Sequence, residues 1–259
     1  MTLLYFYNIS MEKILNKKDD IKFPKIIFGF DKDWEILNWR ETVLKSAVYG
    51  LKNGNSWPLG DIPTEVREII KNNNNKSENM ELKALFDFFI SDIKNIDITK
   101  EETEKAKISW EKISQDYFNA LSVMLEIPIE CFEKEYLAYF TFSSRCPFHG
   151  NAFMFNRFIN FNNAAAHEIM HIEFLKKYRE YCGQKGLNRD QVSHLKEVLT
   201  VLLNTENMKK ILKYPDRGYE KHKKIRPEVL SLYSESKKLG SFFIKFLDRV
   251  IELVKSEHY

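Results

Sequence analysis

The stretch Ala164-Ala-Ala-His-Glu-Ile-Met-His171 decides how this 259-residue chain is read. On an α-helix each residue turns by about 100°, so His167 and His171 fall about 40° apart, one turn from each other on one face. Two imidazoles so placed reach a single metal ion at about 2 Å. Glu168 projects beside them, badly directed for a ligand but able to reach a water held by such an ion. The bland alternative is two histidines that happen to stand four apart. Asn162 and Asn163, just ahead of the motif, are suitable helix caps, so a helix start is expected there.

Working outward, Tyr136-Leu-Ala-Tyr-Phe-Thr-Phe142 and Ala152-Phe-Met-Phe-Asn156 read as aromatic strands, with Cys146-Pro-Phe-His-Gly150 as the turn between them. From Ala164 onward the periodicity predicts helices over roughly 164–182, 189–212, 225–239 and 241–256. Upstream, Ile26-Ile-Phe-Gly-Phe30 reads as a strand. A helix follows from about Asp31 through Trp34, Leu37, Leu44, Val48 and Leu51, ended by Gly50 and Gly54. The polar run Lys71 to Asn79 reads as a linker. After it, Leu82, Leu85, Phe86, Phe89, Ile90 and Ile93 form a helical stripe. Thr99 and Glu102 have capping-box spacing ahead of a second stripe, Trp110, Ile113, Tyr117, Leu121 and Met124, closed by Pro128. Both stripes are core faces rather than ligand grooves. The fold class expected is α+β, predominantly helical. Residues 1–75 form an amino-terminal region without an assigned role. Residues 80–259 form the main domain, with sheet and motif helix over about 136–182 and a carboxy-terminal helical subdomain over about 189–256.

Composition bounds the function classes. Hydrophobic residues at 44%, charged residues at 30%, and Lys+Arg 40 against Asp+Glu 37 exclude a disordered tail. Gly 9 and Pro 7 disfavour collagen-like or many-turned all-β designs, and aromatics at 14% imply a sizeable core. A net charge of +3 with pI ≈ 8.5 argues only weakly for a nucleic-acid partner. Cys131, Cys146 and Cys182 form neither a disulfide framework nor a zinc-ribbon pattern, which suits a reducing compartment. The amino terminus lacks a basic leader and a small-residue cleavage site, and no apolar run approaches a membrane span. A soluble, cytoplasmic protein without a membrane partner is expected.

His167-Glu-Ile-Met-His171 resembles the His-Glu-x-x-His motif of the zincin metallopeptidases. The order of aromatic strands followed by the motif helix is the one this resemblance implies, over about residues 136–226. It implies one Zn2+ ion, a peptide or protein substrate, and Glu168 as general base in peptide-bond hydrolysis. A metzincin-like continuation would place Gly at 174 and His at 177, where this chain has Phe174 and Lys177. A gluzincin-like pattern takes its third ligand from a Glu on a following helix. After a break at Gly183-Gln-Lys-Gly186, the segment Asp190 to Asn204 offers Glu197, set among Val198, Leu199, Val201 and Leu202, where an unpaired carboxylate is costly to bury. His194 is the competing ligand, and a surface Glu beside Lys196 is the bland alternative. Glu173 and Glu180 point elsewhere around the motif helix. Thermolysin-like enzymes carry an Asp four residues after the ligand Glu. Val201 stands there, leaving Thr200 or Asn204 to orient ligands.

The same resemblance implies a donor opposite the metal to steady the oxyanion. In Asp216-Arg-Gly-Tyr-Glu-Lys-His222 the candidates are Tyr219 and His222, with Gly218 supplying backbone freedom. Asn151-Ala-Phe-Met154 resembles the edge segment that pairs with substrate in thermolysin-like enzymes, making Asn151, Ala152 and Phe153 candidate substrate-binding residues. Cys146 and His149 read as turn residues rather than as a thiol nucleophile or second metal site. Two other function classes remain. One is a zinc-binding module of this fold without peptidase activity, engaging a protein partner through the amino-terminal region. The other is a nucleic-acid binder using Lys221, Lys223, Lys224 and Arg226, which read more simply as a solvated helix start.

Overall fold

A computed structural model describes residues 22–53, 58–72, 80–238 and 243–256. The amino-terminal residues 1–21, Gly54 and the linker run over 73–79 therefore lie outside the described residues. Apolar segments build four strands, β1 (Lys25–Gly29), β2 (Glu135–Phe140), β3 (Phe148–His149) and β4 (Ala152–Phe155), joined in one mixed sheet of order β1-β2-β4-β3. β1 runs parallel to β2, with Lys25 opposite Glu135, and β2 parallel to β4, with Leu137 opposite Ala152. β3 is antiparallel to β4. Along β2 every second residue, Tyr136, Ala138 and Phe140, is buried, the period-two signature of a strand with one face in the core.

The two aromatic strands are thus not joined by a simple turn. Residues 146–150 carry β3, and the chain crosses beyond β4 before doubling back through Gly150. Buried polar side chains hold that crossing. Asn38 Nδ2 donates to Thr141 Oγ1 (3.1 Å) and to the Arg145 carbonyl (2.9 Å), and Asn156 Nδ2 donates to the Ser143 carbonyl (3.1 Å). Gly60 packs against the same crossing with φ +72, and a Cβ there would stand 2.4 Å from the Phe142 carbonyl oxygen.

Ten helices are seen among the described residues: α1 (Lys32–Asn53), α2 (Thr64–Asn72), α3 (Met80–Ser91), α4 (Ile93–Glu111), α5 (Ser114–Leu125), α6 (Phe161–Gln184), α7 (Arg189–Leu199), α8 (Glu206–Lys209), α9 (Arg226–Lys238) and α10 (Phe243–Ser256). The architecture is α+β, mostly helical around a small mixed sheet. Several boundaries differ from the sequence-based expectation. α1 continues through Gly50 to Asn53. Thr99 is no cap: it lies inside α4, its hydroxyl donating to the Asn95 carbonyl (2.8 Å), because Asp92 already caps the helix by accepting from Lys94 N. The second stripe is broken between α4 and α5. The stretch 189–212 divides into α7, a 3-10 turn at Thr200–Asn204 and the short α8.

α6 begins at Phe161, capped by Asn160, whose side chain accepts from Asn163 N (3.2 Å). Asn162 and Asn163 sit within the first turn instead. Asn162 Oδ1 accepts from Ser109 (3.0 Å) and Asn163 Nδ2 donates to the Tyr214 carbonyl (2.5 Å). Phe161 is drawn into the helix because its ring packs 4.8 Å from that of Phe155 and 5.2 Å from that of Phe28. Further along, the Tyr117 hydroxyl donates to the Ala166 carbonyl (2.7 Å) and that of Tyr136 to Glu173 Oε1 (2.5 Å). These contacts fix the rotation of α6 about its axis, and with it the direction of the motif side chains. Among the described residues no helix is long and apolar enough to cross a membrane.

Candidate metal centre

α6 carries His167, Glu168 and His171, and α7 brings Glu197 against them. Glu197 Oε2 lies 3.4 Å from His167 Nε2 and 3.2 Å from His171 Nε2. The ligand atoms of His167, His171 and Glu197 lie within 4.8 Å of one another. His171 is 1% exposed, and neither of its ring nitrogens has a hydrogen-bond partner. Glu197 Oε2 is likewise buried without one. Leaving such groups unsatisfied costs about 1–3 kcal/mol each, and two imidazoles and a carboxylate converging on one point form a donor set that fits a divalent metal ion. His194 is not in this group. It lies three residues before Glu197, its ring 4.5 Å from that of His222.

The orienting residue is Asp216, which was not foreseen. Its Oδ2 lies 2.7 Å from His167 Nδ1, which leaves Nε2 directed at the cluster. Asp216 is itself held on every side. Thr200 Oγ1 donates to Oδ1 (2.9 Å), Arg226 Nη2 donates to Oδ1 (2.6 Å) and to the main-chain carbonyl (2.9 Å), and the Asn204 amide bonds the Asp216 backbone at both N and O. Thr200 and Asn204 therefore act on the candidate ligand His167 only through Asp216. Arg226 is 5% exposed and belongs to this network, not to a solvated basic patch, whereas Lys221, Lys223 and Lys224 are exposed. Gly218, with φ +60, admits the Arg226 guanidinium: a Cβ would stand 2.5 Å from Nη1. Nothing in the local sequence singles out Asp216, because its partners come from 49, 16 and 10 residues away.

Electrostatics follow from burial and this pairing. Burial works against a charged His167, yet Asp216 and Glu197 outweigh it and lift the imidazole to about 10. Burial and the neighbouring His167 push His171 down to about 3. Glu197, although partly buried, is held far below the usual carboxylate range by the two histidines and by Lys196, which contacts its Oε1. The cluster thus holds a proton at the place where a cation fits, and binding of a metal would displace it. Burial raises Glu168 to about 7, and its Oε2 has no hydrogen-bond partner.

His167, Glu168, Glu197 and Asp216 open onto a cleft of about 750 Å³, bounded by segments 144–148, 158–160, 163–164 and 214–217 and by Tyr219. Tyr219 is exposed at the cleft, and its phenol is pushed up by local desolvation and by the Glu197 and Glu168 carboxylates, so it stays protonated. His222 is fully buried and does not line the cleft. It packs between Tyr219 and His194, its ring 5.8 Å from that of Tyr219, and burial lowers it to about 4. Asn151, Ala152 and Phe153 do not line the cleft either. β4 is an inner strand paired on both sides, so its backbone is not open to a substrate, and Phe153 is fully buried. Asn151 Nδ2 instead donates to the Glu135 carbonyl (2.8 Å). The strand next to the cleft is the edge strand β3, through Phe148.

Cys146 lines the cleft, but burial and the Glu168 carboxylate raise its thiol well above the usual range, which does not suit a nucleophile. His149 is exposed on β3. Glu173 accepts from Glu133 N (3.0 Å) and Tyr136, a structural role, and Glu180 accepts from the exposed Gln184. Comparison of the chain with protein-family models, with curated proteins and with solved structures finds no match.

Proposed function

We propose that the protein is a zinc-dependent metallopeptidase of gluzincin-like type, with His167, His171 and Glu197 holding one Zn2+ ion. The observation that carries this reading is the convergence of His167, His171 and Glu197, with orphaned atoms on His171 and Glu197, beside Glu168, whose orphaned Oε2 is buried, where His167, Glu168 and Glu197 open onto one cleft and His171 lies behind them. When bound, zinc supplies a Lewis acid and an acidified water. Glu168 is the general base. With its Oε2 free of any hydrogen-bond partner, it accepts a proton from the attacking water and passes it to the departing amine. Tyr219, kept protonated and facing the cleft, donates its phenolic hydrogen to the developing oxyanion. His222 acts behind it by packing on the Tyr219 ring. Asp216 holds His167 in the tautomer that leaves Nε2 free to ligate.

The test is metal content by mass spectrometry together with cleavage of a peptide mixture. His167→Ala and Glu197→Ala should lose both zinc and cleavage. Glu168→Gln should keep zinc near one ion per chain and lose cleavage by a factor of about 100 or more, the scale of one general base. Full cleavage by Glu168→Gln would remove the general-base role, and a zinc content unchanged in Glu197→Ala would remove the third ligand.

A further inference from the structure

We propose that the cleft selects substrates carrying a carboxylate, read by Arg217 with the support of Arg145 and Lys45. The proposal rests on the peptidase reading for its substrate class and extends it to specificity.

The carboxylates that line the cleft are mostly committed. Glu197 faces two histidines and Lys196, and Asp216 faces His167 and Arg226, leaving Glu168 without a contacting cation. Against it stand three lining cations, Lys45, Arg145 and Arg217. Lys45 and Arg145 share a single carboxylate, Glu41, at 2.9 Å and 3.8 Å. Among the described residues no carboxylate pairs with Arg217, which is exposed. A cation in the metal centre would add to this surplus, so a concave site with few free anions presents a positive field to whatever enters.

Arg217 is also well placed. Its backbone follows Asp216, clamped at N and O by Asn204, and precedes Gly218, which packs on Arg226. Its position is therefore tied to the same network that orients His167. A guanidinium on a rigid backbone next to the reacting centre suits bidentate capture of a planar carboxylate. That carboxylate comes either from an acidic side chain near the scissile bond or from a free carboxy terminus.

The experiment uses matched peptides in which one position, scanned across the sequence, is Asp, Asn or Lys, each made with a free and an amidated carboxy terminus. Turnover is measured on the zinc-loaded protein. Binding is measured by fluorescence anisotropy on zinc-loaded Glu168→Gln. The carboxylate member should be preferred about tenfold in kcat/KM and in Kd, the worth of one charge-assisted hydrogen bond. Arg217→Glu should reverse the preference towards the Lys peptide. Dependence on the side chain alone identifies an acidic residue as the ligand, and dependence on the terminus alone identifies the terminal carboxylate. Cleavage without any preference overturns the specificity proposal and leaves the peptidase reading standing. A binding preference that Arg217→Glu reverses, with no cleavage of any peptide, supports the cationic site and sinks the peptidase reading. Neither preference nor cleavage overturns both.

Discussion

Asp216 ties a loop to the candidate metal centre. Its Oδ2 lies 2.7 Å from His167 Nδ1, the arrangement in which a carboxylate orients a metal-ligating histidine, and such partners typically govern affinity by a factor of about 10–100 in metal sites. Asp216→Ala should therefore weaken zinc binding by about that factor, measured by competition with a chromophoric chelator. An unchanged affinity would show that the buried packing of α6 alone orients His167. Gly218 is linked to the same point through Arg226. Gly218→Ala places a Cβ 2.5 Å from the guanidinium at a left-handed φ, so it should cost about 1–3 kcal/mol in urea unfolding and lower zinc affinity together with stability. At this scale the sequence made His167, Glu168 and His171 visible, because helical periodicity puts the two histidines on one face with Glu168 beside them. Asp216 was invisible, since its role exists only when three distant segments meet. The expectations for Asn151, Ala152 and Phe153 rested on a short local match, and the inner position of β4 overrules it.

Among the elements, α1 and α6 show how caps and buried polar groups place the site. Asn160, between the cleft-lining Ile159 and α6, caps the motif helix, and Asn160→Ala should cost about 1 kcal/mol in chemical denaturation. Three asparagines within four positions, 160 to 163, all have capping chemistry, so periodicity alone did not separate them. The packing of Phe161 on the sheet did. Glu35 on α1 is fully buried, its Oε1 accepting from Trp39 Nε1 (2.5 Å) and Phe142 N (2.8 Å) and so tying α1 to the strand crossing. Burial raises its carboxyl from 4.5 to about 7, only partly offset by those hydrogen bonds. The folded chain then binds this proton more tightly than the unfolded chain does. Its contribution is fully present below about pH 4.5 and is lost as pH rises to about 7, by a few kcal/mol at most. Unfolding free energies at pH 5 and pH 7 should show this loss in the parent and a smaller one in Glu35→Gln. Equal slopes would mean that the Glu35 carboxyl titrates near its ordinary value. The split of 189–212 into α7, a 3-10 turn and α8 was equally hidden, for the apolar spacing continues through Thr200, which instead turns its hydroxyl to Asp216.

For the whole molecule, the centre joins α6, α7 and the loop before α9, so a metal that binds the folded chain alone stabilises all of them. At a free zinc concentration about 1,000 times Kd the gain is about 4 kcal/mol, or roughly 10 °C in Tm for a chain of this size, reversed by a chelator. A Tm indifferent to zinc and chelator would argue against a folded-state site. Sequence by itself determined the helical dominance, the existence of β1, β2 and β4, and the shared face of His167 and His171 on α6, because each depends on periodicity within one element. Tertiary structure alone decided that β2 and β4 run parallel and that Arg226 is buried. It also decided that Tyr219 faces the cleft while His222 lies beneath it. Those facts depend on which distant segments pair, and the energy that selects the pairing comes from burying Phe161 on the sheet and satisfying Asp216, Thr200 and Arg226 together, contacts that no single stretch of the chain contains.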